Sequence, residues 1–131
     1  MKRYWDSSAL VDALSDPRIE SLAKEADQFT RPHSLSEVFS TLTGGRLGFR
    51  VRPSDAAQSI RELTSSITFV NLGTVEILEA LDQAERLGVR GGNIHDLLHA
   101  CAAKKAGVDV LLTDNLSDFK NLSDGFDVEP P

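Results

Sequence analysis

The sequence predicts an α/β domain built on a mainly parallel sheet. Short aromatic, β-branched and aliphatic runs alternate with amphipathic helical segments along the whole chain. The segment from Val108 to Thr113 is interpreted as a continuous apolar strand, a pattern typical of a central parallel strand covered on both faces. No repeat or linker interrupts the alternation. With 131 residues, the chain is therefore expected to form one domain over residues 1–131.

The first half of the chain predicts two strands and four helices. Tyr4 and Trp5 favour extended structure, and Ser7 or Ser8 can cap the helix that follows. Pro17 can open the next helix, and Ser34 or Ser36 is expected to cap the third. The expected elements are strands over residues 2–6 and 29–30 and helices over 7–15, 17–27, 34–42 and 53–64.

The second half predicts three strands and two longer helices. Thr74 and Asn93 are expected to cap these helices, and Gly88 and Gly107 lie where a glycine commonly ends one. A polar turn is expected over residues 114–119. The expected elements are strands over residues 67–72, 108–113 and 126–128 and helices over 74–87 and 94–106.

The composition limits the kind of protein. With 40% hydrophobic and 26% charged residues, the chain is expected to fold as an ordinary globular domain. A net charge of −6 argues against a generic nucleic-acid coat protein, but not against an enzyme that gathers acids at a metal site. No apolar run approaches the ~18 residues of a membrane span, no signal peptide is recognised, and the single cysteine excludes a disulfide framework. A cytoplasmic protein without membrane contact is the simplest expectation.

Acidic residues follow the predicted strands. In open parallel sheets, sites form beyond the carboxyl ends of the strands. The acids expected at that edge are Asp6 after the first strand, Glu37 and Asp96 in early helical turns, and Asp114 and Asp118 after the last strong strand.

Most of these acids also have a structural explanation. Asp96 complements a helix dipole, Ser34 with Glu37 matches a capping box, and Asp114 and Asp118 lie in a turn, where Asp is common. Asp6 differs, because burying an acid directly after a buried Tyr-Trp pair costs free energy unless a positive group compensates its charge.

Taken together, the acids predict a cation site. Crowded carboxylates repel one another, and bound Mg²⁺ or Mn²⁺, which prefer hard oxygen ligands, removes that repulsion. The corresponding chemistry is phosphodiester hydrolysis, in which the metal polarises the phosphoryl oxygen and activates water.

Four segments in order resemble the motifs of PIN-domain ribonucleases. The first is Asp6-Ser7-Ser8-Ala9-Leu10, the second Ser36-Glu37-Val38, the third the helix opening at Asn93-Ile94-His95-Asp96, and the last Thr113-Asp114-Asn115-Leu116-Ser117-Asp118-Phe119. Together they cover essentially the whole chain, whose length also resembles that of VapC-like toxins of bacterial toxin–antitoxin pairs.

The resemblance implies a PIN-like three-layer α/β/α sandwich with Mg²⁺- or Mn²⁺-dependent endoribonuclease activity on RNA. Asp6, Glu37 and Asp96 would be the core metal acids. The fourth acid stays open: the Asp-Phe pair favours Asp118, and proximity to the strand favours Asp114. Ser8 and Asn115 would support the site. The resemblance also implies a homodimer and inhibition by a small antitoxin protein.

Histidines and arginines near these motifs allow further interpretations. His95 and His99 share a helix face and could bind zinc, but polar-packed histidines flanking the site are the preferred interpretation. The arginines of the basic stretch could contact phosphate while Phe49 stacks on a base, or the stretch could be a solvated loop. Its arginines are Arg46, Arg50 and Arg52, and Arg31 could join them. Cys101 belongs to an apolar stripe and is expected in the core.

Two other functional classes are compatible with the sequence. The same fold with an incompetent site would serve as an RNA- or partner-binding module, for which Asn115 leaves room. A response-regulator-like signalling domain is also small, α/β and acidic at strand ends, but Lys104 and Lys105 are predicted on a helix rather than after a strand.

Overall fold

Five parallel strands form one sheet at the centre of the fold, in the order β3-β2-β1-β4-β5. The computed structural model describes all 131 residues. The strands are β1 (Arg3–Trp5), β2 (Gln28–Thr30), β3 (Thr68–Phe69), β4 (Val110–Leu112) and β5 (Asp127–Glu129). The first strand of the chain therefore lies in the middle of the sheet, where β2 and β4 both pair with it.

Six helices cover the two faces of this sheet and produce the three layers. They are α1 (Ser7–Ser15), α2 (Pro17–Ala23), α3 (His33–Thr43), α4 (Pro53–Thr64), α5 (Thr74–Leu87) and α6 (Ile94–Ala106), with short 3₁₀ turns at Gly91–Asn93 and Leu116–Phe119. No helix is both long and apolar enough to cross a membrane.

The period of two in β1 separates two hydrophobic cores. Tyr4 and Leu111 point to the side that α5 and α6 cover, whereas Trp5 and Leu112 point to the side of α1 to α4. All four side chains are buried. The α/β/α sandwich that the motifs implied is therefore confirmed, with a sheet that is parallel throughout.

Several predicted boundaries and caps are wrong. The strand expected over 67–72 pairs only at Thr68–Phe69, and the second helix ends at Ala23 rather than at 27. The third helix begins at His33, so Ser34 lies inside it, where its hydroxyl group accepts a hydrogen bond from Thr30. The helix expected to be capped by Thr74 has Gly73 at its cap position, where the Glu76 carboxylate accepts from the Gly73 amide.

The glycine stops and the first helix are confirmed. Gly88 and Gly107 both adopt left-handed φ angles, of 70° and 67°, directly after α5 and α6. A left-handed φ is sterically costly for residues with a Cβ atom, so these two positions favour glycine. The first helix spans residues 7–15 as expected, but the prediction of Ser7 or Ser8 as its cap is wrong, because the Asp6 side chain caps it.

Candidate active site

The acids of the four motifs lie along the edge formed by the carboxyl ends of β1, β2 and β4. Asp6 directly follows β1, and Glu37 lies in the second turn of α3, which follows β2. Asp96 lies in the first turn of α6, and Asp114 and Asp118 follow β4. The parallel topology is what brings these distant parts of the sequence to one edge.

Asp6 is fixed by hydrogen bonds although it is only 3% exposed. Its Oδ1 atom accepts from the Ala9 amide at 2.9 Å, which caps α1, and from the Ser8 hydroxyl at 2.7 Å. Burial raises the pKa of Asp6, and hydrogen bonds from Thr113, Ala9 and Ser8 oppose that rise only in part. The bonds from Ala9 and Ser8 both go to the same oxygen, Oδ1.

Ser8 links the first acid to the last motif. While its hydroxyl donates to Asp6, its oxygen accepts from the Asp114 amide at 3.0 Å. The expectation that Ser8 supports the site through hydrogen bonds agrees with this geometry. Asn115 contributes its backbone amide, which donates to Thr113 Oγ1 at 2.9 Å, and its side chain forms no hydrogen bond within the chain.

Glu37 is held by two donors rather than by a capping box. Ser7 Oγ donates to its Oε2 atom at 3.0 Å, and His99 Nε2 lies 3.0 Å from Oε1. Burial alone would raise the pKa of Glu37, but the His99 and Ser7 contacts outweigh it and lower the pKa below its ordinary value. The capping-box explanation with Ser34 is wrong, because neither Ser34 nor Glu37 bonds to the other.

Asp96 faces other acids. Asn93 Nδ2 donates to its Oδ2 atom at 2.8 Å and also lies 3.4 Å from the Asp118 carbonyl oxygen. Burial raises the pKa of Asp96, the Asn93 bond opposes this, and the negative charges of Asp118 and Asp6 raise it further. Asn93 was expected only as a helix cap, but its side chain makes no cap bond and holds Asp96 instead.

Asp114 lies beside a different carboxylate, that of Asp12 on α1. Burial, a hydrogen bond with Asp114 and the charge of Asp114 raise the pKa of Asp12 to about 7. The two acids of the last motif therefore have separate neighbours: Asp118 acts on Asp96, and Asp114 acts on Asp12.

Comparisons with known proteins identify the family of the chain. The family model described as "PIN domain" matches residues 3–124, nearly the whole chain. The chain belongs to the PIN-domain family.

Among solved structures, the PIN domain is similar to one described as "Crystal Structure of PAE2754 from Pyrobaculum aerophilum". The two share 17% sequence identity at a TM-score of 0.71, over 97% of this chain and 89% of the other. At this identity the likeness concerns the fold alone. No curated protein matches the sequence.

The donor chemistry of this PIN domain fits a hard divalent cation, the kind of ion that PIN-domain nucleases generally use. Asp6 and Asp96 are carboxylates whose charge is costly where they lie, because burial raises the pKa of each and neighbouring carboxylates add to the rise at Asp96. A cation would remove that cost, and carboxylate oxygens are its usual ligands. No three His, Cys, Asp or Glu side chains stand grouped as a ready-made metal site, so side chains would have to turn for all the acids to bind one ion.

The zinc interpretation of His95 and His99 is wrong in this PIN domain. Both ring nitrogens of His99 have protein partners, Tyr4 Oη at 2.7 Å and Glu37 at 3.0 Å. His95 is exposed and stacks on His33, with ring centroids 5.2 Å apart. The preferred interpretation, polar-packed histidines beside the acids, is confirmed.

The basic loop lies against α1, next to the acidic edge. Leu47 and Phe49 line a groove together with Val11 and Asp12 of α1, so the loop adjoins the helix that carries the Asp12–Asp114 pair. Phe49 is 59% exposed. The three loop arginines Arg46, Arg50 and Arg52 are exposed as well.

Arg31, Cys101 and the two lysines of the signalling alternative lie outside the basic loop. Arg31 does not join the loop, because it is buried after β2 and its charge acts on Tyr4 and Cys101. Cys101 was expected in the core, but it is only half-buried and packs against the core from outside. Neither lysine supports the signalling-domain alternative. Lys104 forms an ion pair with Asp124 and Lys105 with Glu76, away from the acidic edge.

The sequence left several residues of the site unidentified. Ser7, Tyr4 and Asn93 bond to Glu37, His99 and Asp96 respectively, and none of them was a candidate site residue. Only Asn93 carried a local signal, because it lies three residues before an acid that opens a helix. The other contacts join residues far apart in the chain.

Proposed function

We propose that this PIN domain is a Mg²⁺- or Mn²⁺-dependent endoribonuclease that hydrolyses phosphodiester bonds of RNA. PIN domains are generally nucleases, which supports the coarser statement. The observation that carries the proposal is the set of buried carboxylates at one sheet edge: burial raises the pKa of Asp6, and burial together with the charges of Asp118 and Asp6 raises that of Asp96. Only His99 opposes this as a positive group near both acids, and a divalent cation would supply the positive charge they need.

Four acids are proposed as the metal and catalytic residues, namely Asp6, Glu37, Asp96 and Asp118. Asp118 is preferred to Asp114 because its charge acts on Asp96, whereas that of Asp114 acts on Asp12. A bound divalent cation would polarise the phosphoryl oxygen and activate the attacking water. The chain itself holds the acids, with Ser8 and the Ala9 amide on Asp6, Asn93 on Asp96, and Ser7 and His99 on Glu37.

The basic loop is proposed to bind the RNA backbone. An acidic edge repels a polyanion, so positive charge close by is needed to retain it. The loop arginines, Arg46, Arg50 and Arg52, are exposed on the segment that packs against α1. Phe49 offers an exposed ring on which a base can stack.

The test is RNA cleavage with Mn²⁺ or Mg²⁺ by the parent chain and by Asp6→Asn, Asp96→Asn and Asp82→Asn. Asp82 lies exposed on α5, so its substitution makes the same charge change away from the edge. We expect the first two variants to lose cleavage and Asp82→Asn to keep the parental rate. Parental rates for either site variant would remove that residue from the site, and parental rates for both would refute the proposal.

A second candidate function is an RNA- or partner-binding module without catalysis. It is favoured by the lack of three acids grouped as a ready-made metal site. Calorimetry with Mn²⁺ separates the two functions. Binding heat that Asp6→Asn abolishes supports the enzyme, whereas no heat beyond dilution at millimolar Mn²⁺ favours the module.

The biological setting is proposed from the family resemblance and the chain length. We infer a cytoplasmic toxin that forms a homodimer and is inhibited by a small antitoxin protein. A short reading frame overlapping the upstream end of this gene, whose product restores growth when co-expressed, would support the toxin role. Light scattering of the purified chain tests the dimer, and a monomer at all concentrations would refute it.

A further inference from the structure

A continuous hydrogen-bonded relay connects the middle of the sheet with one of the proposed metal acids. It runs from the hydroxyl group of Tyr4 on β1, through the ring of His99 on α6, to the carboxylate of Glu37 on α3. The two contacts are 2.7 and 3.0 Å long, and His99 is 1% exposed. Three elements far apart in the sequence thus meet at one imidazole.

The chemistry of the partners fixes the direction of each hydrogen bond. The Glu37 carboxylate accepts from Ser7 at Oε2, and its oxygens can only accept, so Nε2 of His99 must carry the hydrogen of the bond to Oε1. Burial raises the pKa of Tyr4 above its ordinary value, so the Tyr4 phenol is neutral and its O–H can donate to Nδ1. The neutral ring is therefore the tautomer with hydrogen on Nε2.

The orientation of the ring is also fixed by packing. Tyr4 and His99 meet edge to face, with ring centroids 5.7 Å apart and planes inclined at 65°. Both side chains are buried, and rotation of the imidazole would break both hydrogen bonds at once. The donor that points at Glu37 is therefore rigid.

Ser7 holds the other oxygen of the same carboxylate. Its hydroxyl donates to Oε2 while His99 donates to Oε1, so the plane of the carboxylate is set by two donors from α1 and α6. A carboxylate offers about four lone-pair sites. His33 Nε2 also lies near Oε1, at 3.9 Å, which is too long for a hydrogen bond. One acceptor site on each oxygen is therefore left without a hydrogen bond and can bind a cation.

We propose that His99 is a positioning residue: held by Tyr4, it fixes the Glu37 carboxylate in the orientation in which that carboxylate binds the divalent cation. The proposal rests on the proposed function in its metal part. Residues that hydrogen-bond to metal ligands commonly change metal affinity or activity by about 10–100-fold when they are removed.

The first experiment measures the relay without metal or substrate. Long-range ¹H–¹⁵N spectra of the parent chain at neutral pH report which ring nitrogen of His99 carries hydrogen. We expect hydrogen on Nε2, and a loss of the single tautomer in Tyr4→Phe, which removes only the hydroxyl group. A neutral ring with hydrogen on Nδ1 and a bare Nε2 in the parent would overturn the proposal.

The second experiment measures Mn²⁺ affinity by calorimetry in His99→Leu, His99→Gln and the control Gln28→Leu. His99→Leu should weaken binding by about 10–100-fold. His99→Gln should recover most of the affinity, because an amide offers Glu37 a donor in place of Nε2. Gln28 is buried on β2 and accepts from Trp5 Nε1 at 2.7 Å, so its substitution removes a buried hydrogen bond that does not reach Glu37.

The outcomes separate the relay from simple loss of stability. Parental affinity in His99→Leu, no recovery in His99→Gln, or an equal loss in Gln28→Leu would each overturn the positioning role. If the parent chain and Glu37→Gln bind Mn²⁺ equally, it is the assignment of Glu37 as a ligand that fails. If the parent binds no Mn²⁺, the proposed function fails, and the ¹⁵N spectra still accept or reject the relay itself.

Discussion

Replacing Asp6 with asparagine should remove activity while leaving the protein at least as stable as the parent at neutral pH. Asn keeps an oxygen that can accept from the Ala9 amide and from the Ser8 hydroxyl, the two bonds that Asp6 Oδ1 accepts. Asn and Asp are also equally good at helix N-caps. The substitution therefore removes the buried negative charge and retains these two hydrogen bonds.

The direction of the effect follows from proton linkage. The folded-state pKa of Asp6 is raised, so between the unfolded and folded pKa values the native state binds more protons than the unfolded state. Stability of the parent then falls as the pH rises through this window, and the loss is complete above the folded pKa. Asp6→Asn has no carboxyl group there and escapes this loss.

The Asp6→Ala substitution gives the magnitude of the hydrogen-bond contribution to stability. Asp6→Ala also removes the charge, but it loses the cap bond to Ala9, worth about 1 kcal/mol, and the bond from Ser8, worth about 1 kcal/mol. Asp6→Ala should therefore be less stable than Asp6→Asn by roughly 2 kcal/mol. For a domain of this size that corresponds to a melting temperature lower by roughly 7 °C.

Urea unfolding at pH 5 and pH 8, together with thermal melts, measures these differences without metal. At pH 8, Asp6→Asn should be at least as stable as the parent, and Asp6→Ala should be less stable than Asp6→Asn. The reasoning is refuted if Asp6→Asn is less stable than the parent by more than ~1 kcal/mol, a typical hydrogen-bond contribution. Such a loss would mean that a positive group already compensates the Asp6 carboxylate.

Three further predictions concern the edge and the loop. Mn²⁺ at 100 times the dissociation constant should stabilise the parent by about 2.7 kcal/mol in a thermal melt. It should not stabilise Asp96→Asn. Equal shifts of the melting temperature in both proteins would exclude Asp96 as a ligand. Because the pKa of Asp12 is raised to about 7, its contribution to stability should fall as the pH rises from about 4 to 7. Urea midpoints of Asp12→Asn should lack this fall, and a pH profile identical to that of the parent would contradict the raised pKa of Asp12. The loop arginines are tested one at a time in the Asp6→Asn background, as Arg46→Gln, Arg50→Gln and Arg52→Gln. Each substitution should weaken RNA binding and reduce the slope of log binding constant against log salt concentration by about 0.7. An unchanged slope would exclude that arginine as a phosphate contact.

The fold was largely predictable because its signals are local. Helix stops at Gly88 and Gly107 need only a left-handed φ, which sequence context indicates directly. Strand lengths were overestimated because apolar runs continue past the residues that pair: residues 67–72 are apolar or β-branched apart from Asn71, yet β3 is an edge strand of two residues. Helix starts were misplaced where several serines competed, as at Ser34.

The acids of the site were predictable, but most of the contacts that hold them were not. Asp6, Glu37 and Asp96 follow from the rule that parallel strands end at a shared edge. The bond between His99 and Glu37 joins residues 62 apart, and that between Tyr4 and His99 joins residues 95 apart. Because neither residue type nor spacing encodes such contacts, the tertiary structure was needed to find the relay.

The central position of β1 determines when during synthesis the acidic edge can form. Residues 3–5 leave the ribosome long before residues 110–112, so one side of β1 stays unpaired until β4 is made. Asp96 and Asp118 also belong to the last third of the chain, so a nascent polypeptide has Asp6 and Glu37 long before it has their counterparts. Contacts this distant in sequence form slowly, so the acidic edge stays incomplete during synthesis until the residues that follow β4 have been made.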